Sequence, residues 1–353
     1  MMRLIAALLL LASPAWAGQV GEIHRIAHEP TAALRDAQHR DTVRVTVWYP
    51  ASAEATERNI VIGPPKAPYF EVGSAAPDAP FARGAGRYPV ILLSHGFGSS
   101  ARMIGWLGIA LAREGYIVVA VDHSGNNSVD EKTVAGALLW WDRTEDLHAA
   151  LAAIARDPSI GPHINLQRVG AAGFSAGGFT VLVAAGARAD RAGMMANCRD
   201  RPDAADCQTP KEFPVSAADR DAVLARPGIA AELAHASDNH ALPEVRAVFA
   251  LAPGLVRALD PGSLARLRIP VAIMLGEKDT VAPPVSNGLA AARLIPNTQL
   301  SRLPGVGHYD FLASCTAAGR LAVPQCRIDA RQSKTHAAAI EAAVRFFGAA
   351  LRP

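Results

Sequence analysis

Five apolar runs constrain this chain more than any other feature: "YPVILLS" ending at Ser94, "YIVVAVD" at Asp122, "RVGAAGF" at Phe174, "VRAVFAL" at Leu251 and "IPVAIMLG" at Gly276. They are nearly continuously apolar rather than alternating, so a strand built from such a run has two faces to cover. Helical patterns stand between and after them: Arg102 to Glu114, a stretch beginning near Asp142, "AGGFTVLVAAGAR" after the third run, and roughly Ser333 to Leu351. Buried strands alternating with helices predict a mostly parallel sheet with helices on both faces, an α/β fold. At the stretch near Asp142, that residue with Glu145 three positions on has the spacing of a capping box.

The flanks of this pattern read differently. "DTVRVTVWYP" alternates and is expected to be an exposed-edge strand. Residues 51 to 88, rich in Pro, Gly and Ala, read as loop. Residues 189–243 interrupt the strand–helix rhythm with a polar stretch holding Pro202, Pro210, Pro214 and Pro227. That segment is read as an insertion over one end of the sheet, either a cap-like cover or a surface decoration.

At 353 residues, 50% hydrophobic and 19% charged, the chain has enough apolar material for one large domain with a substantial core. A net charge of +3 with no basic stripe gives no reason to expect a nucleic-acid partner. The chain opens "MMRLIAALLLLASPAWAGQ": a positive residue, Arg3, a short apolar run and small residues at Ala15 to Ala17. This is the pattern of a signal peptide over residues 1–17, leaving 18–353 as the mature catalytic domain in the periplasm or secreted. The run is too short to span a bilayer, and no later stretch reaches the roughly 18 to 20 apolar residues a span requires. Four cysteines in an exported chain suggest disulfides. Of the three possible pairings, the sequence-local one, Cys198 with Cys207 and Cys315 with Cys326, is expected. Each would contribute on the order of 2–3 kcal/mol. Their spacing is not that of a zinc site.

The third apolar run leads into "GFSAGG", Gly173 to Gly178, and a helical pattern follows. G-x-S-x-G between a strand and a helix is the context of a nucleophile elbow, which predicts Ser175 as the nucleophile. The alternative is an ordinary Gly-rich strand-to-helix turn. A serine needs a base, and the order expected along such a chain is Ser, then acid, then His. Asp279 lies just past the run "VAIMLG", and His308 follows "TQLSRLP" in "LPGVGHYDF". Asp279 is the expected acid, Glu277 its competitor, and Asp310 stands too near His308 in sequence. His24 and His28 lack the glutamate of an H-E-x-x-H site and read as surface residues. His123 and His148 read as local hydrogen bonders.

"SHGFGSSA" is ambiguous by itself. A strand, G-x-G-x-x-A, a helix and Asp122 at the end of the next strand describe a dinucleotide-binding turn. The same glycines serve equally for a loop whose amide meets a transient oxyanion. Export from the cytoplasm and the downstream Ser175, Asp279 and His308 favour the second reading. The expected oxyanion donors are the backbone N–H groups of Phe97 and Ala176, with the His95 side chain bracing the loop. Trp106, Trp140 and Trp141 belong either to the core or to the wall of an acyl pocket.

With "YPVILLSHGFGSSARMIGWLGIALAREGYIVVAVDHSGNNS" and "GFSAGG" in view, the chain resembles the α/β-hydrolase superfamily from about Val43 to Phe347. The first stretch is similar to platelet-activating-factor acetylhydrolases and dienelactone-hydrolase-like proteins, and more loosely to bacterial cutinase-like polyesterases. The resemblance implies an α/β-hydrolase fold, a Ser175–His308–Asp279 triad, and an oxyanion hole at Phe97 and Ala176. Dienelactone hydrolases use a cysteine nucleophile, whereas this chain has Ser175. Taken together, these features predict a serine hydrolase of carboxylic esters with short to medium acyl groups. It would act on small-molecule, lipid or polyester substrates and need no cofactor or metal. A peptidase or acyl transferase on the same fold is the alternative, followed by a non-catalytic binding module. Nothing in the sequence specifies an oligomeric state.

Overall fold

A computed structural model describes residues 18–83, 86–208, 213–326 and 332–352; the expected signal peptide, 1–17, lies outside the described residues. In chain order the strands are β1 (Val20–His28), β2 (Thr42–Pro50), β3 (Arg58–Ile62), β4 (Phe70–Pro77), β5 (Tyr88–Ser94) and β6 (Ile117–Asp122). They continue with β7 (Ile164–Phe174), β8 (Val245–Leu251), β9 (Val271–Gly276), β10 (Gln299–Leu303) and the two-residue β11 (Ser314–Cys315). The sheet runs β10-β9-β8-β7-β5-β6-β2-β1-β4-β11, with β3 paired to β4. From β10 to β6 every pairing is parallel; β2 is antiparallel to both β6 and β1.

The apolar runs behave as their composition demands. Along β5, Val90 and Leu92 join one buried cluster while Ile91 and Leu93 join another. β6 divides likewise, with Ile117, Val119 and Val121 on the first face and Val118 and Ala120 on the second. The helices Arg143–Arg156 and Ala176–Ala184 cover the first face, and Gly105–Arg113 and Gln332–Ala350 cover the second. Burial on both sides is what a continuously apolar strand requires. The fold is that of an α/β hydrolase, a mostly parallel mixed sheet between helices.

Three local expectations are corrected. "DTVRVTVWYP" is not an edge strand: β2 lies inside the sheet with Val43 and Val45 through Pro50 buried. Its buried polar positions, Thr46 and Trp48, find partners across the sheet rather than water. Thr46 Oγ1 meets His24 Nδ1 at 3.2 Å, and Trp48 Nε1 donates to Glu22 Oε2 at 2.8 Å. Residues 51 to 88 are not all loop, since they hold β3 and β4, joined by a turn in which Tyr69 N–H donates to Ile62 O at 2.8 Å. Asp142 does not form a capping box, because its buried carboxylate faces Arg35 at 3.6 Å while Glu145 pairs with His240 at 3.0 Å.

The insertion carries the helices Arg191–Asp200, Ala217–Leu224 and Pro227–Ala234, with residues 209–212 outside the description. Ala217–Leu224 packs at the loop after β6 and carries Pro227–Ala234 against it, while Arg191–Asp200 packs at the loop after β8. Ile229 and Met194 anchor the segment in the first core cluster. Cys198 is bonded to Cys207, and Cys315 to Cys326. No helix among the described residues is long and apolar enough to cross a membrane.

Candidate active site

The crossover β5–β6–β7 brings two distant loops together. β5 and β7 are neighbours, and Ser94 at the end of one stands opposite Gly173 at the end of the other. "HGFG" after β5 and "SAGG" after β7 therefore leave the sheet side by side, at the carboxyl ends where the strand order reverses. Glycine is demanded here by close approach. A Cβ on Gly177 would stand 2.0 Å from Ser94 O, and one on Gly173 would stand 2.1 Å from Gly177 O. Between them Ser175 takes φ 57° and ψ −117°, a region that L-residues avoid. Its backbone is held in that turn on both sides. Ser175 N–H donates to Leu251 O at 2.9 Å, and Ser175 O accepts from Gly178 N–H at 2.8 Å and Gly254 N–H at 3.0 Å.

The turn leaves Ser175 half-exposed and aims its side chain at the loop after β10. Ser175 Oγ lies 2.9 Å from His308 Nε2, and His308 Nδ1 lies 2.6 Å from Asp279 Oδ2. Asp279 is buried, and its other oxygen accepts from the N–H groups of Val281 at 2.9 Å and Ala282 at 2.7 Å. With a carboxylate on Nδ1, that nitrogen carries the proton, so Nε2 is left to accept from the serine hydroxyl. Phe174 packs against the His308 ring with centroids 4.8 Å apart. Glu277, the competing acid, is exposed and pairs with Arg302 at 2.8 Å. Asp310 is buried and accepts from Gly307 N–H at 2.8 Å, which shapes the His308 loop.

The "HGFG" loop rests against the nucleophile: a Cβ on Gly96 would lie 3.3 Å from Ser175 Cβ. His95 is fully buried; its Nε2 accepts from His123 N–H at 3.1 Å, so Nδ1 carries the proton and donates to Gly96 O at 2.6 Å. Burial, with the neighbouring His123 ring and the Arg143 guanidinium opposing a second positive charge beside them, pushes the His95 ring well below the ordinary histidine range, so it stays neutral. Because the Gly96–Phe97 peptide is trans, pinning its carbonyl on one side turns the Phe97 N–H to the other. Ala176 begins the helix Ala176–Ala184, where N–H groups lack intrahelical partners. Asp122, which in a dinucleotide fold would await a ribose, accepts from Ala101 N–H at 2.7 Å within the same loop. Its carboxylate is spent on the backbone.

The sequence reading missed Asn287. This fully buried amide accepts from Val256 N–H at 3.1 Å and donates to Asp206 of the insertion at 3.1 Å. It joins the loop after β9, the loop beside Ser175 and the disulfide-closed end of the insertion. Its sequence neighbourhood, "APPVSNG", looks like any turn, and only the fold shows what its amide joins. Trp106 and Trp141 belong to the core, and Trp106 Nε1 donates to Phe311 O at 3.0 Å. His24 meets Glu22 at 2.9 Å, and His148 is exposed.

Compared with known proteins, the chain matches the family described as alpha/beta hydrolase over residues 90–318. It also matches the one described as platelet-activating factor acetylhydrolase, isoform II, over residues 38–135. No curated protein matches it in sequence. Among solved structures it is similar to a ferulic acid esterase from Streptomyces cinnamoneus, with TM-score 0.60 and 18% identity, covering 97% of this chain and 94% of that one. It is also similar to a puromycin-hydrolyzing peptidase from Mycobacterium tuberculosis, with TM-score 0.51 and 15% identity. That second match covers 98% of this chain but 41% of the peptidase.

Proposed function

The chain belongs to the alpha/beta hydrolase family, and from that premise we propose that it is an exported serine esterase using Ser175, His308 and Asp279. The observation that carries the reading is the unbroken link from Ser175 Oγ through His308 to Asp279, at 2.9 and 2.6 Å, on a strained turn at the mouth of the sheet.

The reaction follows from these atoms. Ser175 Oγ attacks the ester carbonyl while His308 Nε2 takes the hydroxyl proton. The negative charge that develops on the carbonyl oxygen is met by the N–H groups of Phe97 and Ala176. The intermediate collapses: the C–O bond to the alcohol breaks, and His308 returns the proton to that leaving oxygen. Water then repeats the sequence on the acyl-enzyme, releasing the acid and restoring Ser175. Asp279 holds the His308 ring in one tautomer and stabilises its cation. No step calls for a metal or cofactor.

The acetylhydrolase match over residues 38–135 supports carboxylic esters with short acyl groups. The proposed range extends to medium acyl groups and to small-molecule, lipid or polyester substrates. The insertion at 189–243, held to the loop after β9 through Asp206 and Asn287, is read as a cap that shapes the substrate site. Two disulfides favour an oxidising compartment, the periplasm or outside.

The test is hydrolysis of p-nitrophenyl esters from acetate to decanoate by the mature chain, with Ser175→Ala beside it. Turnover that falls with acyl length and vanishes in Ser175→Ala is the expected outcome. An equally active Ser175→Ala would overturn the mechanism, and faster turnover of peptide than ester substrates would favour the peptidase alternative.

A further inference from the structure

We propose that Arg143 is a positioning residue of this site: its guanidinium ties the Phe97 loop to the helix that starts at Ala176, and so sets the spacing of the two oxyanion amides. This rests on the esterase reading of Ser175.

Arg143 begins the helix Arg143–Arg156 and is 2% exposed. Three of its nitrogens reach three different parts of the site. Nη2 donates to His95 O, in a short contact, and approaches Ser94 Oγ at 3.4 Å. Nη1 donates to Asn126 Oδ1 at 3.0 Å, and that oxygen also accepts from Gly98 N–H at 3.1 Å. The backbone is thus gripped within two residues on one side of Phe97 and next to it on the other. Nε donates to Thr180 Oγ1 at 3.0 Å, and the Thr180 hydroxyl in turn donates to Ala176 O at 3.0 Å. One rigid planar group therefore spans from His95 and Gly98 to Ala176.

A role in packing alone does not explain this choice. Among the described residues no carboxylate lies within ion-pair distance of Arg143. A buried cation without a paired anion is expensive, and a neutral side chain of like volume would fill the space more cheaply. Burial presses the guanidinium down to about 9, against the pull of Asp146. What the guanidinium supplies that no neutral chain can is a fixed fork of donors with set angles between them. Two loops that leave neighbouring strands need such a tie, because an oxyanion hole fails when either donor shifts by a fraction of an ångström.

The experiment measures kcat and KM on p-nitrophenyl acetate for wild type, Arg143→Gln, Arg143→Lys and Thr180→Val. Labelling by a serine-directed fluorophosphonate and inhibition by an alkyl boronic acid, which presents an oxyanion, are read on the same variants. Arg143→Gln is expected to lower kcat by about ten- to hundredfold with KM within about threefold, because only the transition state uses the amides. Boronate affinity falls in parallel while Ser175 still labels. Arg143→Lys falls nearly as far, since it keeps the charge and loses the fork. Thr180→Val cuts the hydroxyl link from Arg143 to Ala176 and lowers kcat by about three- to tenfold with KM unchanged.

Folded Arg143→Gln with wild-type kcat and boronate affinity would overturn the proposal, as would a loss confined to KM. If Arg143→Gln fails to fold, Thr180→Val decides: wild-type kcat refutes the tie, and a kcat-only loss with matching boronate loss supports it. An inactive, unlabelled wild type would instead refute the esterase reading itself.

Discussion

The molecule contains the same hydrogen-bond chain twice. Ser175, His308 and Asp279 are linked at 2.9 and 2.6 Å; Ser94, His123 and Asp146 are linked at 2.8 and 2.8 Å, serine to Nε2 and aspartate to Nδ1 in both. The second set is entirely buried, with 0% exposure at each of its three residues. Ser94 ends a strand in ordinary extended backbone, whereas Ser175 sits at φ 57° on a turn that pushes its oxygen out of the sheet. Asp146 is further held by both terminal nitrogens of Arg35, at 2.9 and 2.8 Å. The comparison teaches that a serine–histidine–aspartate chain is not chemistry by itself. It becomes a candidate for catalysis where a strained turn exposes the serine at the start of a helix. Buried, the same bonds form a brace under the Phe97 loop.

The sharpest way to break the comparison is to remove each serine. Ser175→Ala is expected to reduce kcat on p-nitrophenyl acetate by about ten-thousandfold or more while thermal unfolding stays near wild type. Ser94→Ala should do the reverse, keeping fluorophosphonate labelling while lowering stability, as argued below. Steady-state kinetics and calorimetry on both variants check the pair, and comparable kcat losses would erase the distinction.

The aspartates sharpen it next. Asp279→Asn retains the volume but favours the wrong His308 tautomer, so kcat should drop by about a thousand- to ten-thousandfold in a folded protein. Asp146→Asn leaves the buried Arg35 facing a neutral amide. Although Asp142 lies 3.6 Å away, burial pushes that carboxyl well above the usual range, so it is a poor substitute charge. A stability loss of about 3–5 kcal/mol is expected, read from urea unfolding. If Asp279→Asn proves the more destabilised of the two, the assignment of brace and site is reversed.

How much of this was legible beforehand differs between the two chains for a physical reason. Ser175 announces itself because its turn needs Gly173 and Gly177, so the constraint is written in neighbouring residues. Asp279 and His308 follow from their order and from their positions past strand-like runs. Ser94, His123 and Asp146 carry no such mark, since "LLSHG", "VDHSG" and "TEDLH" are compatible with any surface or core. Their association depends on β5 and β6 lying side by side and on the helix Arg143–Arg156 crossing beneath, facts of tertiary structure. The same limit explains the absent capping box: Asp142 and Glu145 have the spacing, but Arg35, more than a hundred positions away in sequence, faces the Asp142 carboxylate. β2 reads as an edge strand because a polar residue paired across the sheet looks, in sequence, like one facing water.

Ser94→Ala gives a smaller effect. It deletes the hydroxyl that His123 Nε2 accepts from and leaves that nitrogen buried without its partner. The expected loss is about 1–3 kcal/mol in unfolding free energy, with kcat lowered far less than in Ser175→Ala.

The smallest predicted effect concerns protons. Burial, reinforced by the Arg143 charge, presses the His123 ring down to about 3, although Asp146 pulls the other way. The folded ring is therefore neutral at pH 5, whereas an unfolded histidine, near 6.5, is mostly protonated. Unfolding then takes up a proton, so stability from His123 is complete above about pH 6.5 and is lost as pH falls toward 3. Between pH 6.5 and 5.5 the contribution is about 1 kcal/mol. His95 and His336, the latter pressed by burial to about 4, act in the same direction. Asp142, raised by burial, and His240, raised by Glu145 against its own burial, act in the opposite direction and flatten the net curve. The decisive measurement is therefore on the ring itself: imidazole nitrogen resonances should keep His123 in its neutral, Nδ1-protonated form down to pH 5. A ring that titrates near 6.5 would mean that the buried chain is open to water, and the contrast with Ser175 would lose its physical basis.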